Sequence, residues 1–216
     1  MKVALIGATG FVGQALLEEL LARGHDVTAL ARHPEKLAAH PHLRTVKADA
    51  QDAAQVQAAV AGNDAVISAF NAGWSNPDIY RDFMSGTRAI VAGTKAAGVK
   101  RYIVIGGAGS LYAPDGTQLV DSPNFPAAIF DGANAARDAL NELQQETTLD
   151  WTQLSPPVAF HGGGPTERTG RYRVGGDTPL NTGDSVGTIS PADLALAVVD
   201  ELETPKHVGK RFTIAW

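Results

Sequence analysis

Three glycines spaced three apart, in Gly7-Ala8-Thr9-Gly10-Phe11-Val12-Gly13, directly follow the apolar run Val3-Ala4-Leu5-Ile6 and open an amphipathic stretch. A glycine turn between a strand and a helix has a defined chemistry. The first glycine permits the tight turn, the second lets backbone approach a pyrophosphate, and the third lets the helix pack on the sheet. Amide groups at the helix start then point at the anion, and the helix dipole favours negative charge there. Gly7, Thr9, Gly10, Phe11, Val12 and Gly13 are therefore the expected holders of a dinucleotide. The second strand should end about 20 residues beyond the turn, where an NAD-selective site carries Asp or Glu. This chain has Ala31-Arg32-His33, and its nearest acid is Glu35. The planar fork of Arg32 suits a 2′-phosphate. NADP(H) is thus the expected cofactor, with NAD(H) left open; an ordinary surface arginine is the plain alternative.

Composition narrows the rest. At 216 residues the chain suits one domain with a sizeable core. Its net charge is −5, and no Lys/Arg run marks a nucleic-acid footprint. With no cysteine, thiolate metal sites, disulfides and Cys nucleophiles are excluded. The six histidines are scattered, so no metal site is expected. The first strand starts at once, which leaves no room for a signal peptide. No apolar stretch approaches the ~20 residues that span a bilayer. A cytoplasmic protein without membrane or nucleic-acid partners is the expectation.

The elements that must position the glycine turn alternate regularly. Strands are expected at Val3–Ile6, Val27–Ala31, Leu43–Lys47, Ala65–Ala69 and Arg101–Ile105. Helices are expected at Gln14–Ala22, Pro34–Ala38, Ala53–Val60 and Pro77–Ala97, with Gly24 and Gly98 ending two of them. Strands this apolar on both faces, each followed by a helix, imply a parallel sheet covered on both sides. Right-handed crossovers make a doubly wound α/β Rossmann fold the simplest topology. Beyond residue 105 the pattern loosens: a loop over 106–126, a helix over 127–145, and strands at Trp151–Leu154, near Tyr172 and at Arg211–Ala215. Residues 155–189 read as a small loop-rich substrate lobe of a single 1–216 domain. Ser190, Pro191 and Asp193 read as a variant capping box, which makes Asp193 structural. Trp151 reads as core.

Gly7–Gly13, Asp49-Ala50 and Asn71-Ala72-Gly73 resemble the short-chain dehydrogenase/reductase superfamily. Gly106-Gly107-Ala108-Gly109-Ser110-Leu111, Asp150-Trp151-Thr152, Ser155-Pro156-Pro157, the stretch Arg168 to Arg173 and Ile189 to Asp193 resemble its atypical NADH-flavin reductase-like group. That group lies near the NmrA-like and biliverdin reductase B-like proteins. The resemblance covers nearly the whole chain. It implies an adenine pocket at Asp49 and Ala50, and a ribose-side loop at Phe70, Asn71 and Ala72. It also implies a loop at Pro156 and Pro157 that runs along the nicotinamide, with Gly107 at the end of strand five as a further cofactor-binding candidate.

The superfamily's usual acid is a Tyr-x-x-x-Lys pair on the helix after strand five, which contributes roughly 10²–10⁴-fold. Here that region reads Phe130-Asp131-Gly132-Ala133-Asn134, and no Tyr-x-x-x-Lys occurs. Three groups remain as catalytic candidates. Ser110 either presents a hydroxyl to the nicotinamide or is a turn residue; Tyr112 is a nearby phenol without its lysine; His161 either relays a proton or is solvated. Standard carbonyl reduction and sugar-nucleotide epimerisation both want the missing tyrosine. Hydride transfer to a small aromatic acceptor, such as a flavin, quinone or linear tetrapyrrole, needs mainly proximity and orientation. Trp74, Tyr112 and Phe160 offer flat faces to such an acceptor, and Arg168, Arg171 and Arg173 offer charge to an anionic one. The competing reading is a non-catalytic NADP(H) sensor of NmrA type. Ile79, Phe83, Ile90 and Val91 either serve a homodimer seam or face the sheet of a monomer.

Overall fold

A computed structural model describes residues 1–216. Strands β1 (Lys2–Ile6), β2 (Asp26–Ala31), β3 (Leu43–Lys47), β4 (Ala65–Ser68), β5 (Arg101–Ile105), β6 (Asp150–Ser155), β7 (Arg173–Gly175) and β8 (Lys210–Ala215) form one sheet. Their order is β3-β2-β1-β4-β5-β6-β8-β7. All neighbours are parallel except β7, which pairs antiparallel with β8 at the edge. Successive apolar residues on a strand feed opposite cores. Val3 and Leu5 pack under α1 (Phe11–Ala22), while Ala4 and Ile6 join the cluster beneath α2 (Ala53–Val60) and α3 (Ile79–Ala96). Helix α4 (Phe130–Leu143) packs beside α3, and α5 (Pro191–Glu203) beside α1. Two covered faces explain why the strands read as continuous apolar runs.

The expected elements differ from the structure mainly at their ends. Helix α1 begins at Phe11, three residues earlier than Gln14, because the Gly10 amide closes the turn onto the Gly7 carbonyl at 2.9 Å. The Pro34–Ala38 helix is a single 3₁₀ turn, Pro34–Lys36. Residues 127–145 divide into a 3₁₀ turn at Ala127–Ile129 and α4. The strand near Tyr172 runs against the parallel grain, which a sheet edge tolerates. Ile79, Phe83 and Ile90 are buried within the chain, and Trp151 is core. No helix is long and apolar enough to cross a membrane.

The loop-rich stretch after β6 is fastened by polar ties. The Ser190 hydroxyl caps α5 by accepting from the Asp193 amide at 3.1 Å. The Asp193 carboxylate does not close a capping box. It is fully buried and accepts from the Thr169 amide (2.9 Å), the Thr169 hydroxyl (2.6 Å), the Gly170 amide (2.9 Å) and Trp216 Nε1 (2.8 Å). Its structural role is therefore to tie the 168–171 loop and the carboxyl terminus to α5. Arg168 pairs with the buried Glu19 carboxylate on α1, which Arg23 also holds at 2.7 Å. Arg173 donates to the Trp216 carbonyl at 2.9 Å.

Burial alone would raise the Asp193 carboxyl, but its donors outweigh that effect and hold it below the ordinary carboxylate range. A depressed folded value stabilises above the unfolded value of about 3.9, and this contribution disappears as pH falls through the folded value. Asp193→Asn should therefore destabilise the protein at pH 7 by about 3 kcal/mol, or roughly 6–12 °C in Tm. The gap in Tm between variant and native protein should narrow below about pH 4. Thermal melts across pH 3–8 check both; a gap that stays constant through the acid range would contradict this role.

Candidate functional site

The glycine turn has the close contacts its spacing implies. Gly7 adopts φ +84°, and a Cβ there would lie 2.6 Å from the Ala69 carbonyl oxygen at the end of β4. A Cβ on Gly13 would lie 1.9 Å from the Gly7 carbonyl oxygen. No side chain larger than hydrogen fits there without moving α1. The amino end of α1 also has no side-chain cap and no acid in its first turn. The Phe11, Val12 and Gly13 amides have no partner within the protein, the helix ladder beginning beyond Gln14, which bonds to Gly10. By contrast, Asp52 caps α2 and Ser190 caps α5. Three aligned, unpaired donors at a positive helix end fit a pyrophosphate.

Around this turn the strand ends bring up the remaining expected binders. Arg32, just past β2, is exposed and makes no ion pair or hydrogen bond within the protein. Asp49, after β3, accepts from the Gln51 amide at 3.0 Å, and Ala50 is half-buried beside it. Asn71, after β4, uses its Oδ1 to accept from the Gly73 amide at 2.7 Å, and Ala72 packs toward Phe83. Phe70 contributes backbone only. Its amide lies beside Gly7, whereas its ring turns down against Gly86 and Phe83 on α3.

The loops after β5 and β6 form the other wall. Gly107 abuts Ala136 of α4. Ser110 is buried, and its hydroxyl donates to the Gly107 carbonyl at 3.1 Å while accepting from Arg211 at 3.1 Å. That hydroxyl is committed to the protein interior and does not face open space. Tyr112 is exposed, with the Arg211 guanidinium 5.5 Å from its ring centroid. Pro156 is half-buried and Pro157 buried, and the turn after them carries Phe160 to within 5.4 Å of Phe11. The β6 loop thus meets the helix end that carries the free amides. His161 is exposed, and its Nδ1 accepts from the Gly163 amide at 3.1 Å, which assigns the neutral ring's proton to an unengaged Nε2. Trp74 stands away from this group, over Gly132 at the start of α4. Arg168 and Arg173 are spent on the ties described above, which leaves Arg171 as the uncommitted charge of the three.

Arg211 is the organising residue that sequence reasoning missed. Its side chain is buried, donating to the Ser110 carbonyl at 2.6 Å and to Asp177 Oδ1 at 2.8 Å, and it thereby joins the β5 loop to the β7–α5 loop. In the sequence it is a lone arginine at the start of the last strand. Only the placement of β8 beside β6 brings it beneath Ser110.

The contacts at the two glycines predict different failures. Gly13→Ala should destabilise the protein and remove dinucleotide binding, because its methyl would collide with backbone. At Gly10 a methyl would approach only the Gly7 oxygen, at 3.3 Å. Gly10→Ala should fold with a near-native Tm yet bind dinucleotide at least tenfold more weakly. Calorimetric titration beside thermal melts checks this, and full affinity in both variants would contradict it.

Comparison with known proteins agrees with this geometry. A family model described as NAD(P)H-binding matches residues 7–205. An uncharacterized Bacillus subtilis protein, YwnB, is 36% identical over 99% of this chain and 98% of its own length. A 3 beta-hydroxysteroid dehydrogenase/Delta 5→4-isomerase of Mycobacterium tuberculosis is 37% identical over 68% of this chain, but this covers only 40% of the larger enzyme. Among solved structures, a candidate epimerase from Bacteroides thetaiotaomicron superposes with a TM-score of 0.91 at 44% identity, covering 100% of this chain and 96% of that one. A candidate NADH-flavin reductase from Streptococcus pneumoniae superposes with a TM-score of 0.86 at 35% identity, covering 100% and 99%. NAD(P)(H) is accordingly the cofactor. The chain belongs to the NAD(P)H-binding oxidoreductases of the atypical short-chain dehydrogenase/reductase, NmrA-like family.

Proposed function

We propose that the protein is an NADPH-dependent reductase that passes hydride to a small aromatic acceptor, with a flavin as the first candidate and a quinone as the second. One observation carries the reading: an uncapped dinucleotide turn stands beside strand-end loops that hold aromatic faces but no phenol–lysine acid. The Phe11, Val12 and Gly13 amides hold the pyrophosphate in this account, and Arg32 receives the 2′-phosphate. Asp49 and Ala50 border the adenine, with Asn71 and Ala72 at the ribose. Gly107, Pro156 and Pro157 line the nicotinamide side. NADPH supplies the hydride.

The protein's own task is then placement. Proline residues lack amide donors and fix the chain, so Pro156 and Pro157 give the acceptor wall a stiff edge. Tyr112 and Phe160 exclude water and offer faces for stacking. The proton that accompanies the hydride comes from solvent, with the His161 Nε2–H on the same rim as the protein group able to relay it. Ser110 acts through the shape of its loop, its hydroxyl being engaged by Gly107 and Arg211. The steroid dehydrogenase and epimerase names among the relatives describe chemistry that ordinarily uses the tyrosine this chain lacks.

Anaerobic assays with NADPH or NADH against FMN, FAD, menadione and biliverdin should show turnover with at least one acceptor, faster with NADPH. Arg32→Ala should weaken NADPH binding by roughly 10–100-fold, the loss of a charge-assisted contact, and change NADH binding less than twofold. Equal losses for both cofactors would remove the NADP preference. Tight NADPH binding with no turnover on any acceptor would make the protein a redox sensor instead.

A further inference from the structure

A cavity of about 700 Å³ lies away from the glycine turn, between α3, α4 and the β5–β6 part of the sheet. Phe83 and Val91 on one helix and Leu143 on the other give it apolar walls. Its floor is different. Tyr102 on β5 and Gln153 on β6 both line it, and both are nearly inaccessible to solvent, at 1% and 2% exposure. The Tyr102 hydroxyl makes no hydrogen bond of good geometry, its polar neighbour being the Ser68 hydroxyl on β4. The Gln153 amide, with capacity for several hydrogen bonds, makes one long contact to Ser155 Oγ at 3.5 Å. Buried polar groups are normally satisfied, and two under-satisfied neighbours on one floor need a reason.

The rim limits what can enter. Arg88 pairs with Glu142 at 3.0 Å, and Lys95 with Glu146 at 2.7 Å, each bridging α3 to α4. Both charges of each pair are matched, so the mouth has no surplus charge for an ionic ligand. A concave, mainly apolar space of several hundred Å³ with a few converging polar groups is the usual form of a small-molecule site.

We propose that this cavity binds a neutral, mainly hydrocarbon molecule carrying a carbonyl-type oxygen, which accepts from the Tyr102 hydroxyl or the Gln153 amide. The site is separate from the dinucleotide turn and does not depend on the reaction proposed above. It gives the protein a second ligand, bound behind the sheet and not over its strand ends.

The test uses the full chain saturated with NADPH and two probes that differ by one carbonyl, 1-tetralone and tetralin, followed by calorimetry and by amide shifts in NMR spectra. 1-Tetralone should bind at least tenfold more tightly than tetralin, with shifts concentrated on α3, α4 and β5. Tyr102→Phe should keep the native Tm and reduce this preference at least threefold. Ala92→Trp, which fills the cavity from the exposed side of α3, should abolish binding of both probes, whereas Tyr112→Ala should leave it unchanged. Equal affinity for the two probes, or binding that survives Ala92→Trp, would overturn the proposal. So would sedimentation showing a dimer that Ala92→Trp dissociates, because the groove would then be covered by a second copy.

Discussion

The approach of α1 to the first turn is the constraint on which the site rests. Gly13 lies so close to the Gly7 carbonyl that a methyl group would sit 1.9 Å from it. Such a contact brings the helix end down onto the sheet between β1 and β4. There, the Phe11, Val12 and Gly13 amides remain without protein partners. A capping side chain would have satisfied one of them and shielded the end of the helix dipole. The chain leaves that position to Gly10, so the favourable interaction stays available to an anion.

The opposite wall is organised by other means. Residues after β5 and β6 have little regular structure, and their positions come from side chains anchored in the sheet and helices. Arg211 joins two loops beneath Tyr112, Asp193 gathers another loop with the last residue, and Glu19 receives Arg168 from across α1. Each tie sets a charged group among several partners in a largely buried setting, where removing one partner costs more than a surface pair contributes. The glycine-turn side is therefore built from backbone, and the wall formed by the loops after β5 and β6 from side-chain ties. Loops held in this way can change residue by residue while the glycine turn stays the same, which suits a family whose named members differ in chemistry.

Legibility in the sequence followed the same division. Periodicity located the strands through β6 to within a residue or two, because each is a short run rich in apolar or β-branched residues between turn residues, and each except β3 is flanked by a strand on both sides. The glycine turn was equally legible, since spacing alone determines its contacts. The ends of helices were harder: α1 starts inside the glycine motif, and the stretch before α4 folds as a 3₁₀ turn. What could not be read were the contacts between residues distant in sequence. Ser110 looked like an available hydroxyl until β8 placed Arg211 under it, and nothing in the sequence showed that Gly86 on α3 makes room for the Phe70 ring, leaving that residue's backbone beside the glycine turn. Arg168 and Arg173 looked like free charge, although Glu19 and Trp216 are their partners. Arginine and serine carry no mark of whether they face a ligand or the protein.

Trp216 shows how far this tying extends. Its indole donates to Asp193 and its carbonyl accepts from Arg173, so the final residue joins α5, the 168–171 loop and the sheet edge. Trp216 is accordingly a fastener for the wall opposite the glycine turn. Replacing its indole and loosening its backbone would therefore disturb three elements at once, although the residue lies just past β8 and outside every helix and strand.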